Sequence, residues 1–181
     1  ISDLRPRVFP VRPGTGIPAS YALGDLDGDG RKYLVVGDPD GSQVLLYLQR
    51  KDGDLAEPLR FPSLAEVKGL AAADADADGK AELFCVSPKE RTVGICRFSS
   101  EGGGGRLSYP QPLTVEGKPL AVAAGDLNGD GRTEMACALE SDGKRAIVVM
   151  QLDAVSGAWT HTQHVELAGL KTDPKALRIL D

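Results

Sequence analysis

Three short acidic loops carry the residues with the clearest chemistry in this sequence. Each loop has an oxygen-bearing side chain at its first, third and fifth positions and a glycine at its sixth. Because glycine adopts a positive φ easily, the chain can curl there and bring those oxygens together. A hard cation such as Ca²⁺ takes roughly six to eight oxygen ligands, and the main-chain carbonyl at the seventh position is a further donor. The oxygen donors at the odd positions are Asp25, Asp27 and Asp29, then Asp74, Asp76 and Asp78, then Asp126, Asn128 and Asp130.

A cation cage of this kind needs one more acidic side chain from further along the chain. At the twelfth position, where an EF-hand places glutamate, the loops carry Val36, Cys85 and Cys137, which offer no oxygen. At the ninth position the second and third loops carry Glu82 and Glu134. The sequence therefore disfavours an EF-hand and predicts cation sites that are closed from the ninth position.

The three loops recur at intervals of about 50 residues, starting at Asp25, Asp74 and Asp126. A single Asp- and Gly-rich segment is often only a solvated turn, and that alternative applies to each loop taken alone. Matched spacing favours one supersecondary unit repeated along the chain, and with it the metal-binding interpretation.

Each unit contains the pattern of four short strands. A run of small apolar residues precedes the loop, and an apolar run of strand length follows it. A turn comes next, then a third apolar run and a more polar fourth one. Four strands in about 50 residues are typical of a β-propeller blade. The predicted blades are 17–64, 65–115 and 116–168, with residues 169–181 as the start of the next blade.

The sequence thus predicts an all-β fold, a β-propeller fragment of about three four-stranded antiparallel blades plus the first strand of a fourth. Residues 175–181 repeat the apolar run, and Asp181 stands where a fourth acidic loop would begin. We therefore expect the repeats to continue in a longer chain. The content of 22 glycines and 12 prolines suits short strands joined by turns.

Composition argues against several other classes of function. Acidic residues outnumber basic ones by 26 to 21, for a net charge of -5, and no long basic run occurs. We therefore expect no nucleic-acid partner. No apolar stretch reaches about 18 residues, so we expect no membrane span. The cysteines, including Cys96, lie in apolar runs and are expected to be small buried side chains.

His161 and His164 are the only histidines, and they lie three residues apart in a predicted strand. Residues three apart in a regular strand point to opposite faces. We therefore expect two surface histidines rather than a zinc site. Trp159 is expected to pack on an outer strand, with a ligand-stacking platform as the alternative.

The acidic loop with an acid at its ninth position, followed by a strand, resembles the FG-GAP/VCBS repeats of integrin-type calcium-binding propellers. The similarity is nearer to the VCBS form. No Phe-Gly pair precedes the loops, and only Gly37, Asp38 and Pro39 match the GAP element. The resemblance covers essentially the whole chain and implies Ca²⁺ as the bound ion.

The resemblance also implies which residues hold the ions. For the second blade they are Asp74, Asp76, Asp78, Glu82 and the main-chain carbonyl of Lys80. For the third blade they are Asp126, Asn128, Asp130, Glu134 and the main-chain carbonyl of Arg132. The first loop matches at Asp25, Asp27, Asp29 and the main-chain carbonyl of Arg31. Its ninth residue is Tyr33, so we expect a weaker site there.

The function implied by the resemblance is that of a non-catalytic scaffold outside the cytoplasm: secreted, periplasmic or on the cell surface. Its partners would be calcium and a protein or carbohydrate ligand. The alternative is part of a propeller-type polysaccharide lyase or another sugar-active enzyme, which needs a Lys, Arg, His or Tyr converging with acids in a central funnel. A structural spacer without a partner is a third possibility.

Overall fold

A computed structural model describes residues 20–100 and 105–179. Its main architecture is three four-stranded antiparallel sheets that follow one another along the chain, as predicted from the repeat. The first sheet has the order β1-β2-β3-β4. Its strands are β1 (Tyr21–Gly24), β2 (Tyr33–Asp38), β3 (Gln43–Tyr47) and β4 (Leu59–Pro62).

The second and third sheets repeat this four-stranded arrangement. The second contains β5 (Gly69–Ala73), β6 (Glu82–Ser87), β7 (Thr92–Cys96) and β10 (Gln111–Leu113). The third contains β11 (Lys118–Gly125), β12 (Glu134–Ser141), β13 (Lys144–Leu152) and β14 (Trp159–Glu166). The four-stranded antiparallel blades of a partial β-propeller are therefore confirmed.

The second blade also contains a small hairpin that the repeat pattern did not predict. Its two strands, β8 (Phe98–Ser99) and β9 (Arg106–Leu107), pair with each other between β7 and β10. Phe98 and Leu107 are buried in the core between the first and second blades. Residues 101–104, in the glycine-rich connection between these two strands, lie outside the described residues. Within the described residues, no helix has the length and apolar character needed to cross a lipid bilayer.

The strand β6, which follows the acidic loop of the second blade, packs on both of its faces. Leu83 and Cys85 belong to the core shared with the first blade, whereas Phe84 and Val86 belong to the core shared with the third. Successive side chains of a strand point to opposite faces, so a strand between two neighbouring blades is apolar throughout. This is why the run after the acidic loop shows no alternation of apolar and polar residues.

The innermost strands of the three blades are β1, β5 and β11. They lie close together, which explains why their residues are small. A Cβ atom added to Gly24 would lie 2.7 Å from the Cβ of Ala72 on β5. A Cβ on Gly69 would lie 3.5 Å from the backbone nitrogen of Val122 on β11. The small apolar run before each loop is therefore a packing requirement where the inner strands converge.

Residues 167–179 form no strand, although a first strand was predicted in this region. The segment lies where the innermost strand of a next blade would lie: Leu177 packs against Leu120, Ala121 and Ala138. In the other blades the innermost strand pairs only with the strand after its loop. Among the described residues, no strand pairs with this segment. Asp181 and residues 17–19 lie outside the described residues.

The two histidines correct one expectation. Within β14, Gln163 pairs with Val149 and His161 pairs with Met150, so Thr162 is an extra residue in a β-bulge. His164 pairs with Val148, which shares a face with Met150. The expectation of opposite faces was wrong, because one inserted residue reverses the alternation. Both histidines are exposed on the same face.

Candidate metal centres

The three acidic loops have the same backbone shape, which is set by two residues with positive φ in each. In the first loop these are Gly28 and Gly30, with φ values of 77° and 83°. The third loop has glycines at both places, but the second has Ala77 at the earlier one, with a φ of 60°. Because a left-handed conformation strains a residue with a Cβ, glycine is the favoured residue at these turns.

The first Asp of each loop holds the turn together through backbone N–H groups. Asp126 Oδ1 accepts hydrogen bonds from Gly129 N at 2.7 Å and Asp130 N at 3.2 Å, and its Oδ2 accepts from Gly131 N at 2.8 Å. These donors, with Gly131 foremost, hold the pKa of Asp126 below its usual range. Asp25 makes the same three contacts in the first loop.

The second loop differs at this first Asp. Asp74 Oδ2 accepts from Gly79 N at 2.9 Å, but its Oδ1 is buried and has no hydrogen-bond partner among the described residues. A buried carboxylate oxygen without a partner is costly unless a cation or a donor approaches it. This atom is therefore a candidate cation ligand of the second loop.

Two of the loops gather three carboxylates tightly. Asp25, Asp27 and Asp29 each place one oxygen within 4.8 Å of the others, and the same holds for the three Asp residues of the second loop. In the third loop the amide Asn128 replaces one carboxylate and donates from Nδ2 to Asp130 and Glu134, at 3.2 Å each. The odd-position carboxylates thus converge in the first and second loops, and two of the three odd-position side chains are in contact in the third.

The ninth-position residues lie against the loops because of strand register. Glu82 and Glu134 open the second strands of their blades and are only 2% and 3% exposed. Glu82 Oε2 accepts from Ala75 N at 2.9 Å, and Glu134 Oε2 accepts from Leu127 N at 2.8 Å. Burial raises the pKa of Glu82, although the Ala75 N–H opposes that shift. In both loops a buried carboxylate is thus bonded to the loop backbone.

In the first loop the ninth residue is a donor instead of an acid. The Tyr33 hydroxyl donates to Asp27 Oδ2 at 2.8 Å and lies 3.2 Å from Asp29 Oδ2. Burial raises the pKa of Tyr33, and the carboxylate of Asp27 adds to the shift, so the hydroxyl keeps its proton. Arg31 also forms an ion pair with Asp29. Side chains of the protein thus neutralise part of the charge of this loop.

In the second and third blades the residue at the end of the third strand also contacts the ninth-position glutamate, and sequence reasoning missed it. In the second blade Arg97 Nη2 lies 3.1 Å from Asp76 Oδ2, and Arg97 Nε lies 3.4 Å from Glu82 Oε1. In the third blade Gln151 pairs with Glu134 in register and donates to its Oε1 at 2.6 Å. The available signal was a polar residue at the end of an apolar third run.

The seventh residue of each loop, whose carbonyl is a predicted ligand, is held in the loop by its backbone N–H group. The backbone N–H groups of Arg31, Lys80 and Arg132 each donate at 2.8 Å to the fifth-position Asp before them. These bonds place the seventh residue beside the converging oxygens. Coordination by its carbonyl oxygen stays a prediction.

A family model described as the FG-GAP-like repeat matches residues 25–85 and 74–137. The chain belongs to the FG-GAP-like repeat family. Each FG-GAP-like match begins at the first Asp of one loop and ends in the strand after the next loop, so the family repeat coincides with the blade period. Comparison with curated proteins found no match.

A groove of about 500 Å³ is lined by the inner strands β1, β5 and β11 and by residues 175–179. Its titratable lining side chains are Tyr21, Lys68, Lys175 and Arg178, and none of its described lining residues is acidic.

Proposed function

We propose that this FG-GAP-like chain is a non-catalytic calcium-binding β-propeller scaffold. The observation that carries the proposal is the buried ninth-position glutamate whose carboxylate accepts a hydrogen bond from the loop backbone in the second and third loops. All of the side-chain donors in these loops are oxygens, and oxygen donors suit calcium better than the softer metals that prefer nitrogen or sulfur.

The proposed second-blade ligands are Asp74, Asp76, Asp78, Glu82 and the Lys80 carbonyl. The proposed third-blade ligands are Asp126, Asn128, Asp130, Glu134 and the Arg132 carbonyl. The partnerless Oδ1 of Asp74 supports the fit of a cation at the second loop. In the first loop the Tyr33 hydroxyl occupies the position of the missing acid, so we propose weaker binding there.

The proposed role of the ion is structural. Each loop joins the innermost strand of a blade to the strand beside it. A cation held there neutralises converging carboxylates and fixes that connection. The first loop also reaches the second blade, because Asp25 O accepts a hydrogen bond from Ala81 N at 2.7 Å. Stiffening a loop therefore also stiffens the contact between blades.

We place the protein outside the cytoplasm: secreted, periplasmic or on the cell surface. Sites with this number of ligands suit the range of extracellular calcium modules, on the order of 10⁻⁴ to 10⁻³ M. The partner that we propose, besides calcium, is a protein or carbohydrate bound by surface loops of the blades. The family supports this placement, since FG-GAP repeats are typical of extracellular or surface proteins.

Calorimetric titration with Ca²⁺ tests the proposal. We expect Glu134→Ala to remove one site, or to weaken it by at least about tenfold, since a charged ligand is lost. Glu166→Ala is the matched control, because it deletes the same charge from the exposed end of β14. Unchanged stoichiometry and affinity in Glu134→Ala would contradict the ligand assignment, and absence of binding in the unmodified chain would contradict calcium binding altogether.

A further inference from the structure

The side chain of Arg97 touches two of the proposed ligands of the second loop. Its residue follows β7, and its guanidinium lies 3.1 Å from Asp76 Oδ2 and 3.4 Å from Glu82 Oε1. The Glu82 side chain is 3% exposed, whereas the Arg97 side chain is 52% exposed. A positive charge that reaches in from the surface therefore covers the buried acid at the ninth position.

The equivalent residues of the other blades carry no charge. Gln151 stands opposite Glu134 in the third blade and offers it a neutral amide donor at 2.6 Å. In the first blade the equivalent residue is Leu48, which follows β3, and the ninth residue is Tyr33. The positively charged Arg97 thus lies beside the loop in which all four proposed side-chain ligands are carboxylates.

We propose that Arg97 is a built-in counter-cation of the second loop, which stabilises the loop without metal and lowers its affinity for Ca²⁺. It follows that the third loop binds Ca²⁺ more tightly than the second, although it has one carboxylate fewer. An ion entering the second loop meets a like charge or must displace the guanidinium from two acids. At the position of Arg97, an ion entering the third loop meets the neutral amide of Gln151. This inference rests on the proposed function.

The test measures Ca²⁺ binding by one loop in a chain in which a substitution removes the first Asp of the other loop. In a chain carrying Asp126→Ala, we expect Arg97→Gln to tighten calorimetric Ca²⁺ binding about tenfold at low salt. In a chain carrying Asp74→Ala, Gln151→Arg should weaken binding by a similar factor. Arg91→Gln controls for net charge, because it removes a positive charge from the β6–β7 turn and should leave binding unchanged.

A second readout separates this role from a merely structural one. With chelator present, Arg97→Gln should lower the melting temperature, since Asp76 and Glu82 lose their counter-charge. With saturating Ca²⁺ the same variant should regain that loss. Arg97→Lys keeps the charge and should bind Ca²⁺ as the parent does.

The possible results are distinguishable. Unchanged Ca²⁺ affinity in Arg97→Gln would overturn the inference. Weaker affinity would also overturn it, by showing that Arg97 positions Glu82 as a ligand. If neither the parent chain nor any variant binds Ca²⁺, the proposed function fails and this inference fails with it. Binding by the parent with no effect of Arg97→Gln would remove the inference alone.

Discussion

The first and third acidic loops have nearly the same backbone conformation but differ in the side chain at the ninth position. Their paired glycines have φ values of 77° and 83° in the first loop, and 77° and 82° in the third. The first Asp of each accepts the same three backbone hydrogen bonds. At the ninth position, however, the first loop has a hydroxyl donor and the third has a buried carboxylate. The shape of a loop and its need for a cation are therefore set by different residues.

A donor and an acid at this position have opposite electrostatic consequences. The Tyr33 hydroxyl donates a hydrogen bond to Asp27, which offsets part of the repulsion among the carboxylates of its loop without any ion. Glu134 brings another negative charge to the acids already present, and Asn128 and Gln151 offset only part of it. The comparison predicts that the third loop depends on a cation and the first does not.

The largest expected effect is on thermal stability. Saturation at about 100 times the dissociation constant stabilises by ~2.7 kcal/mol per site, so two closed sites contribute about 5 kcal/mol. For a chain of this size, that corresponds to roughly 10–20 °C in melting temperature. Chelator should reverse it in a calorimetric melt. The double variant Glu82→Ala/Glu134→Ala should lose most of the shift, and a calcium-loaded chain that melts unchanged in chelator would show that the loops are ordinary turns.

Converting the first loop into a copy of the third is the next test. Tyr33→Glu with Leu48→Gln supplies both the acid and its neutral partner, so we expect one additional Ca²⁺ per chain in a calorimetric titration. Tyr33→Phe is the control: it removes the donor without adding an acid and should leave the stoichiometry as it is. An unchanged ion count in the double variant would mean that the ninth residue does not decide closure.

A glycine substitution separates backbone shape from ion binding. Gly131 and Gly143 both have positive φ, 82° and 75°, and nothing lies within 4 Å of a Cβ added to either. Alanine at each should therefore cost about 1 kcal/mol in unfolding free energy, measured by denaturant melts. Only Gly131→Ala should also weaken Ca²⁺ binding, because Gly143 lies in the β12–β13 turn. Equal binding by both variants would show that the left-handed turn is not needed for the site.

The smallest expected effect concerns the twelfth-position residues. Cys85 and Cys137 are fully buried, and burial raises the pKa of Cys137 to about 12. The nucleophilic thiolate is therefore scarce at pH 8. We expect no alkylation of either thiol by iodoacetamide in the folded chain, with or without Ca²⁺, and full alkylation in denaturant, counted by mass spectrometry. Rapid labelling of Cys137 in the folded chain would contradict this packing.

Much of the architecture could be predicted because the repeat places the same pattern in each blade. The position of each strand after its loop, and the buried thiols in the runs that follow, agree with the structure. The β8–β9 hairpin and the bulge at Thr162 could not be predicted, because short insertions leave no periodic signal. The bulge alone reversed the expected orientation of His161 relative to His164.

The sequence by itself determined which residues form the loops, because a glycine and an alternating set of acids act within a few residues of each other. It also determined the period, and with it the blades. Only the tertiary structure decided what stands beside each ninth residue, since Arg97 and Gln151 reach their loops through the pairing of the second and third strands. Strand register brings residues distant in sequence within a few ångströms, and electrostatic interactions depend on that distance rather than on separation along the chain.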